Sequence, residues 1–121
     1  AVTLPLIHAA DGTFLDLAVF WQQWLGWQAT PAERAFAFHD ALAQGFAALA
    51  RYYCAKNGTR TVALSGGVLH NRLLRQLLHQ ALSPLHVLLP REYPAGDGGL
   101  ALGQAVVACA RLQSVSGFNL N

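Results

Sequence analysis

The sequence contains no methionine and carries few charges. Charged residues make up 12% of the chain, which is about half their share in an ordinary soluble domain. Hydrophobic residues make up 54%, and this excludes an intrinsically disordered chain. A single domain of 121 residues can bury only part of so much apolar surface. Together with the start at Ala1, the composition predicts a fragment of a longer polypeptide whose missing part covers the rest.

Two further absences limit where the chain acts and what it binds. No uninterrupted apolar run is long enough for a membrane span, and no basic segment precedes an apolar core at the start as in a signal peptide. We therefore expect a cytoplasmic protein with no membrane partner. The eight Lys and Arg residues are scattered and the net charge is +2, so no nucleic-acid partner is expected either.

Cysteine and histidine are too sparse and too widely spaced for a metal site. Cys54 and Cys109 form no Cys-x-x-Cys pair, so we expect reduced, buried thiols within helices. None of the five histidines lies three or four residues from another, the spacing that two ligands on one helix require. The chain alone is therefore not expected to encode a metal site, and His39, beside an apolar helical stripe, is interpreted as structural.

The first thirty residues are predicted to form a loop and a short helix. Pro5 limits residues 4–7 to an extended or loop segment, and residues 11–13 are predicted to turn. Residues 14–27 carry apolar side chains at helical spacing, with three tryptophans among them. These rings could form a platform for a sugar or base, but helical spacing favours packing.

A capping box predicts the start of a long helix. Thr30 supplies an N-cap hydroxyl, Pro31 stands at the first helical position, and Glu33 can reach back to the cap. Asn57 and Gly58 supply a left-handed stop about seven turns later. The side predicted to be buried carries large apolar residues: Phe38, Leu42, Phe46, Leu49 and Tyr53.

The chain is organised around residues 61–72, whose pattern indicates strand, glycine turn and helix. A short apolar strand ends at Ser65-Gly66-Gly67, and an apolar stripe at helical spacing starts at Leu69. A glycine turn at a helix N-terminus suits a phosphate, because unpaired N–H groups and the helix dipole both favour an anion. Asn71, one turn into the helix, can contact a nucleotide from the side. The alternative is a connection that merely needs a positive φ.

A second strand, turn and helix repeat this design. Residues 85–89 are predicted to be a strand, residues 90–96 a loop and residues 98–112 a helix with Asp97 at its N-cap. A right-handed crossover makes the two strands parallel and brings both turns together at their carboxyl ends, where ligands bind in open α/β sheets. The two turns would then form one site. Residues 114–121 lack periodicity and are expected to be a frayed tail.

Both motifs resemble the C-terminal end of the HypF family, the carbamoyltransferases that mature NiFe-hydrogenases. Family members read Ser-Gly-Gly-Val-x-x-Asn-Arg-Leu-Leu and then Pro-x-Asn-Asp-Gly-Gly-x-Ala-Leu-Gly-Gln. This sequence follows both patterns from Ser65 and from Pro94, except that Gly96 replaces the asparagine. The resemblance covers nearly the whole chain and implies an α/β fold: half of an actin-like or sugar-kinase-like (ribonuclease H-like) domain, with a short parallel sheet segment and several flanking helices.

The resemblance also implies a two-lobed site that binds ATP and works with a carbamoyladenylate. Ser65 offers a hydroxyl to the nucleotide, Gly66 and Gly67 offer N–H groups, and Asn71 lies at its side. Asp97 matches the aspartate of a divalent-metal site (iron, zinc or magnesium) whose histidine ligands lie in the missing N-terminal half of the domain. The structural alternative is that Asp97 only caps a helix.

The function implied is transfer of a carbamoyl group to the C-terminal cysteine of a HypE-like partner, during synthesis of the hydrogenase cyanide ligand. The chain is then one C-terminal fragment, inactive alone: residues 1–30, residues 31–113 with the long helix and the strand-helix-strand-helix, and a tail from 114 to 121. One alternative is a stand-alone nucleotide-binding or interaction module of the same fold. Another is a piece of the related threonylcarbamoyl-adenosine tRNA-modifying family, which shares a looser form of both motifs. No catalytic residue can be named from the sequence.

Overall fold

A computed structural model describes residues 2–91 and 96–116 of the chain. Its strands are β1 (Leu6–Ala9), β2 (Gly12–Leu15), β3 (Thr61–Ala63) and β4 (His86–Leu88). Its α-helices are α1 (Leu17–Gly26), α2 (Pro31–Asn57), α3 (Arg72–Leu82) and α4 (Leu100–Ser116). Short 3-10 helices, Gly67–His70 and Asp97–Gly99, precede α3 and α4.

The N-terminal segment forms an antiparallel hairpin, which the sequence did not predict. Strand β1 pairs with β2, so that Ile7 lies opposite Phe14. Phe14 was expected in the first helix, but that helix begins only after Asp16, whose side chain accepts a hydrogen bond from the Val19 N–H at 3.0 Å. Tyr53 of α2 holds the hairpin, since its hydroxyl donates to the carbonyl of Thr13 at 3.2 Å.

The tryptophans of α1 pack as predicted. Trp21 and Trp24 both lie against the ring of Phe38 on α2, with ring centroids about 6 Å apart. The Arg34 guanidinium lies 4.1 Å from the Trp24 ring centroid, within cation–π range. These rings therefore join α1 to α2.

Helix α2 starts and stops where the sequence predicted. The Thr30 N–H donates to the Glu33 carboxylate at 2.9 Å, and the Glu33 N–H donates to the Thr30 hydroxyl at 3.3 Å, which completes the capping box. Gly58 ends the helix with φ +65°. The Thr30 hydroxyl also donates to the Glu33 carboxylate, at 2.7 Å. This side-chain bond, followed by the bond from the Thr30 N–H, holds the pKa of the Glu33 carboxyl below its ordinary value.

Helix α2 buries most deeply other residues than those of the predicted apolar stripe, although Phe38 and Leu42 of that stripe are half-buried and pack against buried residues. Its fully buried residues are small (Ala41, Ala43, Gly45, Ala47 and Cys54), whereas Phe46 is 50% exposed. Other elements approach this helix too closely for large side chains: a Cβ on Gly45 would lie 2.8 Å from Cγ of Leu4. The alanines of α2 join three clusters, one with Leu4 and Phe20, one with Leu69, Leu74 and Leu78, and one with Ala81 and Leu82.

Strands β3 and β4 are parallel, as predicted, with Val62 opposite Val87. Helix α3 makes the crossover between them and packs on α2. It begins at Arg72 rather than at Leu69. Its buried residues are Leu74, Leu78, Ala81 and Leu82. The stripe predicted from the sequence was Leu69, Leu73, Leu77, Leu78 and Leu82, so the two sets agree only in part, and Leu73 is 37% exposed.

Helix α4 is exposed from its start to residue 115. Every residue from 100 to 115 is exposed, including six large apolar ones: Leu100, Leu102, Val106, Val107, Leu112 and Val115. Cys109 is exposed as well, contrary to prediction, whereas Cys54 is buried. The helix continues through Ser116 where a frayed tail was expected, and residues 117–121 lie outside the described part. No helix in that part combines the length and apolarity needed to cross a membrane.

Candidate functional site

The two glycine turns lie side by side at the carboxyl ends of β3 and β4. A Cβ placed on Gly96 would lie 3.2 Å from Cα of Gly67, which is tighter than most real Cβ contacts. The same atom would lie 3.8 Å from Nε2 of His70. The backbones of the two turns therefore touch, and Gly96 is the position at which the sequence departs from the HypF pattern. Of the second turn, residues 92–95 lie outside the described part.

An open cleft of about 780 Å³ runs between these turns and α4. Ser65, Gly66, Gly67 and Gly96 line it on the side of the turns, and Asp97 and Gly99 lie where the chain enters α4. The wall contributed by α4 consists of Leu100, Gly103, Gln104, Val107, Ala108 and Arg111. Both turns therefore line one cleft, as the sequence predicted.

The glycine turn lies at the start of a 3-10 helix, not of an α-helix, and this corrects the prediction. Gly66 has φ +115°, a conformation that favours glycine. Gly67 begins a helix of only four residues, too short for the dipole argument that the sequence suggested. The turn therefore offers a ligand its backbone without Cβ atoms, and a Cβ added at Gly66 or Gly67 would meet no atom within 4 Å.

Asn71 is the N-cap of α3 and is absent from the lining of the cleft. Its Oδ1 accepts a hydrogen bond from the Leu74 N–H at 3.0 Å. Its Nδ2 lies 2.7 Å from Nε2 of His39 on α2. The sequence predicted that Asn71 contacts a nucleotide from the side. In the structure both the oxygen and the nitrogen of its side-chain amide already have a hydrogen-bond partner.

Asp97 lines the cleft but does not cap the helix, contrary to prediction. Gly96 is the N-cap of the 3-10 helix, and no side-chain hydrogen bond caps it. Within residues 2–91 and 96–116, the Asp97 carboxylate has no hydrogen-bond or ion-pair partner, and it is exposed. No group of three His, Cys, Asp or Glu side chains comes together in the same part of the chain. Asp97 can therefore supply one oxygen ligand to a metal, but the described residues do not complete a site.

The residues that sequence reasoning missed are those of α4. Gly103, Val107 and Arg111 succeed one another at four-residue spacing on the side that faces the cleft. Arg111 brings a positive charge to the cleft, and among the described lining residues Asp97 is the acidic one. The helical spacing of these residues was visible in the sequence, but no pattern showed which side of so uniformly apolar a helix faces the turns.

Comparison with known proteins assigns the family. The family model for the second subdomain of the Kae1-like domain of carbamoyltransferases matches residues 4–104. The chain belongs to the HypF carbamoyltransferase family. It is 44% identical to carbamoyltransferase HypF of Rhodobacter capsulatus over 84 residues, covering 69% of this chain and 11% of the relative. It is 47% identical to HypF of Rhizobium leguminosarum bv. viciae over 79 residues, covering 64% and 10%.

Solved HypF structures match the fold. HypF of T. kodakarensis superposes with a TM-score of 0.78 at 29% identity, over 93% of this chain and 15% of that one. A full-length HypF in a phosphate- and nucleotide-bound form gives a TM-score of 0.74 at 25% identity, over 96% and 16%. The predicted fold class is thereby confirmed, as a fragment of the Kae1-like fold. The chain spans about a tenth of the two curated relatives.

Proposed function

We propose that this chain is the second half of the nucleotide-binding cleft of a HypF-type carbamoyltransferase. The observation that carries the proposal is the convergence of both glycine turns and Asp97 on one cleft whose far wall is an uncovered apolar helix. A self-contained binding module would be expected to cover such a helix. The family match favours HypF over the tRNA-modifying relative.

The ligand of the cleft is ATP or a carbamoyladenylate. At Gly66 and Gly67 a nucleotide can approach the backbone closely, since no Cβ projects there. Ser65 and Arg111 add a hydroxyl and a guanidinium at the same cleft, and a guanidinium suits phosphate oxygens. One matching HypF structure is described as phosphate- and nucleotide-bound, which supports a nucleotide as the ligand.

Asp97 would hold the divalent metal, with the remaining ligands supplied from outside this chain. Its carboxylate fits that role, because it is exposed at the cleft and no hydrogen bond in the described residues occupies it. Carboxylate oxygens serve magnesium, zinc and iron alike, so the identity of the metal is left open. A metal bound there would supply charge stabilisation to phosphate or carbamoyl oxygens.

The first subdomain of the same domain would cover α4 and close the cleft. In the complete protein, the carbamoyl carbon of the carbamoyladenylate would form a bond to the C-terminal cysteine sulfur of a HypE-like partner, and its bond to the phosphate oxygen would break to release AMP. This chain's part in that step is to hold the nucleotide. Alone, it would be inactive.

A pair of glycine substitutions tests the nucleotide site. Gly66 and Gly58 both have positive φ, and a Cβ at either would meet no atom within 4 Å, but only Gly66 lines the cleft. Alanine should cost about 1 kcal/mol at Gly58, which lies in the left-handed helical region, and about 1–3 kcal/mol at Gly66, whose φ of +115° and ψ of +156° are essentially restricted to glycine. In the full-length HypF protein that carries this segment, only Gly66→Ala should also weaken ATP binding, measured by calorimetry. Equal ATP affinity for both variants would reduce the glycine turn to a connection.

A further inference from the structure

Three elements meet at the side chain and backbone of Asn71. Its backbone N–H donates to the carbonyl of Val68 at 3.0 Å and closes the 3-10 helix. Its Oδ1 accepts from the Leu74 N–H at 3.0 Å and starts α3. Its Nδ2 lies 2.7 Å from Nε2 of His39, on α2. One residue thus ties the 3-10 helix after the glycine turn to both α3 and α2.

The chemistry of the partners settles the direction of each bond. Nδ1 of His39 lies 2.7 Å from the carbonyl oxygen of Ala35, and because a carbonyl only accepts, Nδ1 carries the hydrogen. In a neutral imidazole, Nε2 then has the lone pair, which accepts from Nδ2 of Asn71. The Leu74 N–H can only donate, so the Asn71 side-chain atom that faces it must be the amide oxygen, Oδ1. All three requirements agree on one histidine tautomer and one amide orientation.

We infer that His39 is a positioning residue for the cleft: it fixes the amide of Asn71 and, through it, the junction between the glycine turn and α3. Without an acceptor at position 39 the amide keeps the cap bond but loses its second anchor. The inference rests on the proposed function in one respect, that the turn binds a nucleotide. It also revises the interpretation of His39 as purely structural, because its contact with Asn71 affects the junction next to the glycine turn.

The bonds leave one hydrogen of Asn71 Nδ2 to interact with a ligand. A primary amide has two N–H donors, and within the described residues only the contact with His39 uses one of them. Asn71 is exposed. His39 therefore determines the orientation in which the remaining N–H is presented, next to the glycine turn but outside the lining of the cleft.

Two substitutions at position 39 separate positioning from packing. His39→Gln keeps a side-chain oxygen that can accept from Asn71, whereas His39→Leu keeps bulk but offers no acceptor. His79→Leu is the control, because His79 is an exposed histidine of α3 that does not line the cleft. In the full-length HypF protein that carries this segment, we expect His39→Leu to weaken ATP binding about 3- to 10-fold, the range of one hydrogen bond. His39→Gln should recover most of that loss, and His79→Leu should bind ATP like the wild type.

Nuclear magnetic resonance on the 121-residue chain tests the same contact without a nucleotide. At about pH 8, where histidine is neutral, the imidazole nitrogens of His39 should show hydrogen on Nδ1 and a lone pair on Nε2. The Asn71 side-chain amide hydrogens should exchange more slowly than in His39→Leu. The Nε2–H tautomer, or unchanged ATP affinity in His39→Leu while the wild type binds ATP, overturns the inference. A wild type that binds no ATP overturns the proposed function instead, and the tautomer and amide exchange then decide the role of His39.

Discussion

The packed region (residues 2–91) and α4 are both rich in apolar residues but differ in how deeply these residues are buried. In the packed region three clusters of buried apolar residues hold α1, α2 and α3 together, and α2 brings an alanine to each cluster. Some large apolar side chains of this region, such as Phe14 and Phe46, are nevertheless about half exposed. Helix α4 is also rich in apolar residues, yet it buries none from 100 to 115. Of the α4 residues described as lining the cleft, Gln104 and Arg111 are the polar or charged ones. Under the proposed function, the packed region is a scaffold and α4 is the surface that the first subdomain would cover.

The cleft lies at the boundary between these two regions. The turns after β3 and β4 belong to the scaffold, and Asp97 stands where the chain leaves it for α4. Residues there should matter for activity and little for stability, while residues of the scaffold should behave in the opposite way. Four predictions follow this division, from the largest expected effect to the smallest.

Asp97→Asn should separate activity from stability most sharply. In the full-length protein we expect carbamoyl transfer to the partner cysteine to fall by at least about 100-fold, because the amide removes the negative charge a metal requires. The melting temperature of the 121-residue chain should hardly change, since the carboxylate caps nothing. Asp11→Asn, an exposed aspartate in the turn between β1 and β2, is the control. Transfer activity retained by Asp97→Asn would refute the metal role.

Phe20→Ala should destabilise the scaffold, whereas Leu112→Ala should leave it intact. Phe20 is 1% exposed in its cluster, and Leu112 is 67% exposed on α4. Removing the first side chain should cost about 3–5 kcal/mol and removing the second less than about 0.5 kcal/mol. Urea unfolding of the isolated chain measures both. Similar losses for the two variants would mean that α4 is packed in solution.

Replacing one glycine in each region by alanine compares how tightly the two regions are packed, because the substitution adds a single methyl group. On α2, a Cβ at Gly45 would meet three side-chain atoms of Leu4 within 2.9 Å, whereas on α4 a Cβ at Gly103 would meet nothing within 4 Å. Gly45→Ala should cost about 1–3 kcal/mol through overpacking. Gly103→Ala should be neutral or add up to about 1 kcal/mol of helix stability. If thermal unfolding showed Gly45→Ala to be the more stable of the two, the contact with Leu4 would be wrong.

The capping box makes the stability of α2 sensitive to acid. Hydrogen bonds from Thr30 hold the pKa of Glu33 below its ordinary value, so the folded state favours the charged carboxylate. That contribution is present at neutral pH and is lost as the pH falls through the lowered pKa. Glu33→Gln should therefore lower the melting temperature at pH 7 and match the wild type in strong acid, while Thr30→Ala should cost about 1 kcal/mol at pH 7. An equal effect of Glu33→Gln at both pH values would argue against the carboxylate bonds.

Local signals in the sequence were sufficient where a few adjacent residues determine the structure. The capping box at Thr30 and the left-handed Gly58 gave both ends of α2, and two short apolar runs gave the parallel pair β3 and β4. The right-handed crossover predicted that the two turns, at Gly67 and Gly96, lie side by side. Each of these inferences depends on local backbone chemistry or on a general rule of chain topology.

The rest depended on contacts between distant parts of the chain. The hairpin was missed because its four-residue strands are held by Tyr53, about forty residues away. The buried side of α2 was misjudged because close approach of neighbouring elements, seen at Gly45, selects small residues over aromatic ones. The start of α3 was placed early because a 3-10 helix intervenes, although Asn71 is itself a cap signal. His39 was undervalued because its partner lies 32 residues away.

Hydrogen exchange of α4 tests the central claim most directly. The backbone amides of residues 100–116 should be measured in the isolated chain and in the full-length HypF protein that carries it, with the amides of α2 as the internal reference. In the isolated chain we expect α4 to exchange at least about 100-fold faster than the centre of α2, because exposed helices open locally. In the full-length protein its protection should rise to that of α2. Protection of α4 that is the same in both would contradict the claim that this helix and its cleft are half of a two-part site.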